Sequence, residues 1–184
     1  MGLEVADGPI YPRVMASKRT YDRERHAHFV TFSCYRRRRL LDNDRMKRVV
    51  LGVLNTQLTL QDGRRVGFVV MPEHVHAVVW FPGHDQIVHL MKQWKQRPSV
   101  PIKRLMTLVF VKYAGRIDPG EPVWQAEYYD LNLFTEEKTE EKLVYMRQNP
   151  VRAGLVERPC DWPWSSARFY ESGRTVGVPV GWLD

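Results

Sequence analysis

The stretch FVVMPEHVHAVVWFPG, residues 68–83, decides how the rest of the chain is read. Its aliphatic and aromatic content is that of strand, Pro72-Glu73 breaks it and Pro82-Gly83 closes it. RRVGFVVM before the break and HVHAVVWF after it are therefore expected to pair as a hairpin. Strand side chains alternate between faces. Val75, Ala77 and Val79 then point to one side, where an apolar core wants them, and His74 and His76 point to the other with Val78 and Trp80. Two imidazoles held in register among apolar neighbours need partners, because an unpartnered buried polar group is costly. The pattern suits a pair of metal ligands or phosphate contacts, and a metal would need at least a third ligand from elsewhere. A second His-x-His, His26 and His28, follows the charged run Asp22 to Arg25 and is expected to be a solvated strand start. Glu73 is at odd parity to the pair and is expected to point away from it.

Residues 1–25 mix Pro, Gly and charge without periodicity and read as an irregular arm. HAHFVTFSCYRRRRLL (26–41) reads as a strand ending in Arg36, Arg37, Arg38 and Arg39, two of which alternation would send to each side. Asn43 or Asp44 can cap a helix to about residue 59, with Met46, Val49, Val50, Val53 and Leu54 as its apolar stripe. Asp62-Gly63 marks a turn. A helical pattern over 84–97 is expected to break at Pro98 and Pro101, with a second helix over 102–113 and a loop over 115–122. WQAEYYDLNLF (124–134) reads as a strand. Thr135 can cap a helix with Glu136 and Glu137 in its first turn, stopping near Asn149-Pro150. DWPWSSARFY suits a short helix, and the last dozen residues read as irregular. The order predicts an α+β fold, a mainly antiparallel sheet with helices packed on one face. Three segments are expected: the arm 1–25, a domain over 26–170 and a tail over 171–184.

Twenty-eight Lys and Arg against 21 Asp and Glu give a net charge of +7, which favours a polyanionic partner. Cys34 and Cys160 lie far apart, as expected for free thiols in a reduced cytoplasmic protein. No apolar run approaches the roughly 18 residues of a membrane span, and the N-terminal residues lack the apolar core of a signal peptide.

Neither cysteine has a suggestive setting and no serine stands in a strand-to-helix elbow, so the search for a nucleophile turns to tyrosine. In EEKTEEKLVYMRQNP, Leu143, Val144 and Met146 define a core side, and Tyr145 and Asn149, four apart, share a face. By themselves they read equally as a boundary residue and a helix terminator. Together, however, VVMPEHVHAVVWFP (69–82) and VYMRQNPVRAGLVERPCDWPWSSARFY (144–170) resemble the single-tyrosine HUH transposases, and within them the REP-associated tyrosine transposases. The resemblance covers roughly 26–170 and implies a ferredoxin- or RRM-like nuclease fold. It implies that His74 and His76 hold a divalent cation, Mg or Mn, with Asn149 as the third ligand, and that Tyr145 is the nucleophile. It further implies cleavage and strand transfer on single-stranded DNA at imperfect palindromic hairpins, through a 5′-phosphotyrosine. Imidazole ligands suit Mn better than Mg, and the sequence does not choose between them.

Three basic clusters are candidate DNA contacts: Arg36 to Arg39; Lys92, Lys95 and Arg97 with Lys103 and Arg104 around Trp94; and Arg147 with Arg152. Trp124, Trp162 and Trp164 are given no role beyond packing. A histidine-triad hydrolase would need a third alternating histidine where Val78 stands, which argues against that class. A non-catalytic hairpin-binding protein, for DNA or RNA, is the alternative reading. A monomer is favoured over a helix-swapped dimer.

Overall fold

The computed structural model describes residues 26–109, 118, 120–174 and 177–181. The expected arm over 1–25 and the end of the expected second helix over 110–113 lie outside the described residues. Four strands, β1 (Ala27–Ser33), β2 (Arg64–Val70), β3 (His74–Trp80) and β4 (Tyr129–Leu133), form one antiparallel sheet in the order β2-β3-β1-β4. Between β1 and β2 runs α1 (Asp44–Leu60), between β3 and β4 runs α2 (Gln86–Val109), and α3 (Glu136–Arg152) follows β4. β3 is inserted between β1 and β2, the split βαβ arrangement of ferredoxin-like folds. The α+β class and the 68–83 hairpin are as the sequence predicts.

Alternation along β3 builds two apolar layers. Val75, Ala77 and Val79 join Val30, Phe32, Phe68 and Val70 in a core covered by α1 and α2. Val78 joins Phe29, Val66, Val69 and Leu133 beneath Leu143 and Met146 of α3. Helices on one face describes α1 and α2; α3 covers part of the other face, the face that carries His74 and His76. The helix starts follow local chemistry. Asn43 accepts from Arg45 N at 2.9 Å and Thr135 from Lys138 N at 3.2 Å, satisfying otherwise orphaned donors.

Several local expectations are overturned. α2 is continuous through Pro98 and Pro101. Fully buried Trp94 and Ile102 anchor it on either side of the prolines, Trp94 Nε1 donates to Val50 O at 2.9 Å, and Ser99 Oγ donates to Lys95 O at 2.7 Å inside the interrupted turn. Tertiary burial outweighs the lost backbone bonds. α3 likewise runs past Asn149 to Arg152, because Pro150 sits in the last turn, where only one bond is lost before Gly154 (φ 63°) closes the helix. β1 stops at Ser33, and Arg36 and Arg37 both take φ 54°, so the four arginines do not alternate as on a strand. This turn is tied to the β2–β3 hairpin by Cys34 N to Glu73 O and Leu41 N to Pro72 O, both 2.8 Å. The strand expected over 124–134 is regular only from Tyr129, with Trp124 bridging Cys34.

The outer edge of β2 is covered by the segment after α3. Trp162 Nε1 donates to Val70 O at 3.1 Å, Val70 N to Trp164 O at 2.8 Å, and Ser166 N to Phe68 O at 2.9 Å, ahead of a short α4 (Ala167–Ser172). Trp162 and Trp164 thus close a sheet edge. The tail expected to be irregular returns to β2, where Gly181 N donates to Arg65 O at 3.1 Å and Arg65 Nη1 to Pro179 O at 2.6 Å.

Gly67, at the β2 bulge, sets how closely α3 approaches. A Cβ there would lie 2.4 Å from Leu143 Cδ2 and 3.2 Å from both Met146 Cε and Ser166 Oγ. Gly67→Ala is expected to destabilise the protein by about 1–3 kcal/mol in urea unfolding. Combined with Leu143→Ala, its cost should fall well short of the sum of the two single changes, since the truncated side chain vacates the clash.

Candidate active site

The β1–β3 register sets Thr31 opposite His76 and Ser33 opposite His74, and the β1–β4 register sets Tyr129 opposite Thr31. His74 and His76 lie side by side with ring centroids 4.6 Å apart. His76 is 3% exposed and stacks on Phe29, centroids 5.4 Å apart and planes 19° apart. From α3, the Tyr145 ring meets His76 edge-on at 5.6 Å and Phe29 at 6.3 Å. Three of the residues singled out in the sequence therefore converge. Asn149 lies one turn beyond Tyr145 and its Nδ2 donates to Tyr145 O at 3.0 Å, which leaves its Oδ1 as an available acceptor.

Each imidazole is held by one nitrogen. His74 Nδ1 donates to Glu73 Oε1 at 2.8 Å, and His76 Nδ1 lies 2.6 Å from Thr31 Oγ1. Glu73 precedes the first strand residue, so strand alternation does not govern it, and the expectation that it points away from the pair fails. The hydrogen bond from His74 holds the Glu73 carboxyl below its ordinary range. Burial, then the charges of His74 and Arg37, push His76 well below the ordinary histidine range, so its ring is neutral. Among the described residues His76 Nε2 is buried with no hydrogen-bond partner, as are Gln57 Nε2, Arg65 Nε and Trp124 Nε1 away from this site. With both Nδ1 atoms occupied, the ring atoms left for a further contact are the two Nε2 atoms.

Among the described residues no group of three or more His, Cys, Asp or Glu side chains is placed to hold a metal. A metal at the histidine pair would have to take its third ligand from another residue type, and the Asn149 amide oxygen is of such a type. A donor set of two imidazole nitrogens and an amide oxygen would fit a borderline divalent ion such as Mn and, holding no anionic ligand, would leave the ion's charge uncompensated.

The basic residues divide. Arg152 sits over the Tyr145 ring, its guanidinium carbon 5.4 Å from the centroid, and Arg37 is close enough for its charge to act on His76 and Glu73. Arg36 and Arg38 pair with Glu121, and Arg39 with Asp42. Arg147 pairs with Glu140 and lies over Tyr170, while Arg97 donates to Gln93 Oε1 at 2.8 Å. Lys92 and Lys95 line a groove of about 520 Å³ between α2 and the 122–128 segment. Lys95 donates to Ala126 O at 2.6 Å, and burial lowers its ammonium pKa. His28 is not solvated: it is 1% exposed and its Nδ1 lies 3.0 Å from Asp130 Oδ1. Both cysteines are free, and burial pushes the Cys34 thiol up to about 12, leaving it unreactive as a nucleophile.

Thr31 and Phe29 escaped the sequence reading. They lie on β1, far from the motif, and only the strand register brings them against His76.

The model of the family described as "Transposase IS200 like" matches residues 23–147, and the chain belongs to that family. Within it, the chain is similar to REP-associated tyrosine transposases. It is 24% identical over 122 residues to a Haemophilus influenzae protein assigned to that group, covering 64% of this chain and 65% of the relative. It is 24% identical over 115 residues to the REP-associated tyrosine transposase of Escherichia coli strain K12, covering 62% of this chain and 59% of the relative. The chain thus spans about three fifths of the length of the curated relatives it matches. A solved structure of a REP-associated tyrosine transposase bound to a REP hairpin superposes with a TM-score of 0.67 at 20% identity, covering 92% of this chain and 94% of that one. The two share the fold. No helix among the described residues is long and apolar enough to cross a membrane.

Thr31 is the only hydrogen-bond partner of His76 Nδ1 among the described residues. Thr31→Val keeps shape and strand preference but leaves both ring nitrogens without partners. It is expected to cost about 1–3 kcal/mol of stability in urea unfolding of the metal-free protein.

Proposed function

We propose that this protein cleaves and rejoins single-stranded DNA at hairpin sequences of the REP type, with Tyr145 as the nucleophile and His74, His76 and Asn149 as ligands of a divalent ion, Mg or Mn. The observation that carries the reading is the meeting of the two imidazoles, 4.6 Å apart, with the Tyr145 ring, 5.6 Å from that of His76. His76 Nε2, buried and without a hydrogen-bond partner among the described residues, is the ring atom this arrangement leaves for a ligand.

Glu73 and Thr31 fix the two imidazoles by their Nδ1 atoms, so that Nε2 of each presents a lone pair; such outer partners orient ligands and raise their basicity. A bound divalent ion supplies Lewis-acid polarisation and orientation of the scissile phosphate. A phenol is a weak nucleophile at neutral pH, with an ordinary pKa near 10, so its placement matters more than its intrinsic reactivity. Packing of Leu143 and Met146 onto the sheet fixes α3, and with it the Tyr145 oxygen, relative to the histidine pair. The phenolic oxygen bonds to phosphorus and the bond from phosphorus to the 3′ oxygen breaks. The phenolic proton ends on the released 3′-hydroxyl. The 5′-phosphotyrosine keeps a phosphodiester's reactivity, so a 3′-hydroxyl can later attack it and restore continuous DNA. Arg152, over the nucleophile's ring, adds a positive charge where the phosphate must sit.

One chain supplies both the histidine pair and Tyr145, so the site we propose needs no helix exchanged with a second copy. Free thiols support a cytoplasmic setting.

The test uses a single-stranded REP-type hairpin labelled at its 5′ or its 3′ end, with Mn, Mg or EDTA, resolved on a denaturing protein gel. A metal-dependent adduct retaining only the 3′-labelled fragment is expected, absent in Tyr145→Phe, which should still bind the hairpin. Hairpin binding without adduct under every metal condition would contradict the catalytic reading and leave a non-catalytic hairpin-binding protein. Separately, Glu73→Gln should weaken Mn binding by about 10- to 100-fold in titration calorimetry of the DNA-free protein, as removal of an outer partner of a ligating histidine does.

A further inference from the structure

On the sheet face that carries the histidine pair, one large aromatic stands out. Tyr129 opens β4 and is 54% exposed, and no hydrogen bond to its hydroxyl is found among the described residues. Its sequence neighbour Tyr128 points the other way and packs on the main core. An isolated exposed aromatic is ordinary on a protein surface. Tyr129 differs in where it stands and in how it is held.

Tyr129 faces Thr31 across the β1–β4 ladder, and Thr31 faces His76 across the β1–β3 ladder. Tyr129, Thr31 and His76 therefore form one row across three strands, which puts the Tyr129 backbone about 10 Å from that of His76. The ring is buttressed from below. Phe29, 5% exposed, meets Tyr129 edge-on with centroids 6.2 Å apart and planes at 70°, while Phe29 itself stacks on His76 and meets Tyr145 edge-on. Phe29 thus touches the platform, the nucleophile and one of the proposed ligands. Lys142, one turn before Tyr145 on α3, holds its ammonium 5.8 Å from the Phe29 centroid. Its ion-pair partner, Glu141 at 2.9 Å, is about half exposed and also pairs with Lys138, so the Lys142 charge is exchangeable for another anion.

A rigid aromatic with an exposed ring, a cation beside it and a phosphate-directed site in the same row form the combination by which proteins grip unpaired nucleic acid: bases stack and phosphates pair with cations. We propose that Tyr129 is a stacking platform for the unpaired nucleobase next to the scissile phosphate, with Lys142 at the phosphate on that side. The platform rests on the proposed single-stranded DNA cleavage and adds to it the subsite that holds the flanking nucleotide in line with Tyr145. Because every base has a π face, the contact selects for an unpaired nucleotide more than for a particular base. Tyr129 touches DNA and acts on the reaction only by positioning.

The experiment places 2-aminopurine in turn at each unpaired position flanking the cleavage point of a REP-type hairpin. Binding is followed by its fluorescence in the full-length Tyr145→Phe protein. One flanking position is expected to be quenched on binding. Adding Tyr129→Ala should abolish that quench and weaken binding roughly tenfold, with the melting temperature unchanged, and Tyr129→Phe should restore both. A quench that survives Tyr129→Ala, while the Tyr145-bearing protein still forms its covalent adduct, overturns the platform alone. Absence of the adduct in the Tyr145-bearing protein overturns the platform together with the reading it rests on.

Discussion

The structure turns on two imidazoles that alternate positions of one buried strand seat side by side, next to a tyrosine from α3. His76 stands on an inner strand of the sheet between Phe29 and Tyr145, with its Nδ1 engaged by Thr31 and its Nε2 buried without a partner among the described residues. Around it the structure is over-determined: β3 is paired on both edges, His74 is fixed by Glu73, and α3 is seated through Leu143 and Met146 against a strand whose Gly67 leaves room for it. Surroundings fixed in this way hold the two imidazoles and Tyr145 in one geometry, the preorganisation that a functional site needs.

That constraint links the two faces of the sheet. Val75, Ala77 and Val79 bury one face under α1 and α2, and this burial holds β3 in register. A slip of one residue would exchange His74 and His76 with the core valines, so the apolar layer beneath specifies the polar layer above. The segment 162–166 adds to this by occupying the edge of β2, the strand that pairs with β3. The Trp-Pro-Trp corner therefore bears on the site through β2 and β3, and Trp162 also packs in the apolar cluster that seats Tyr145.

Much of this was legible in the sequence because it depends on short periods. Alternation over 74–80 separated the core valines from the histidines, and the four-residue spacing put Tyr145 and Asn149 on one helix face. The resemblance to REP-associated tyrosine transposases then joined two motifs that periodicity could not. What escaped depends on contacts between distant segments. Thr31 is an ordinary strand residue until register places it opposite His76, and His28 looked solvated until its strand was buried beside Asp130. Local rules also lost to tertiary packing: buried Trp94 and Ile102 carry α2 through two prolines, and the left-handed Arg36 and Arg37 replace the alternation expected of the arginine run. Glu73 escaped because parity was applied one residue beyond the strand.

The central claim is that β3 presents two imidazole Nε2 atoms to a divalent ion beside Tyr145. The most direct measurement is anomalous X-ray scattering at the manganese edge from crystals grown with Mn. A single peak in contact with Nε2 of both His74 and His76, and with Asn149 Oδ1, is the predicted result. Manganese bound elsewhere, or none bound at this pair at saturating concentration, would contradict the account.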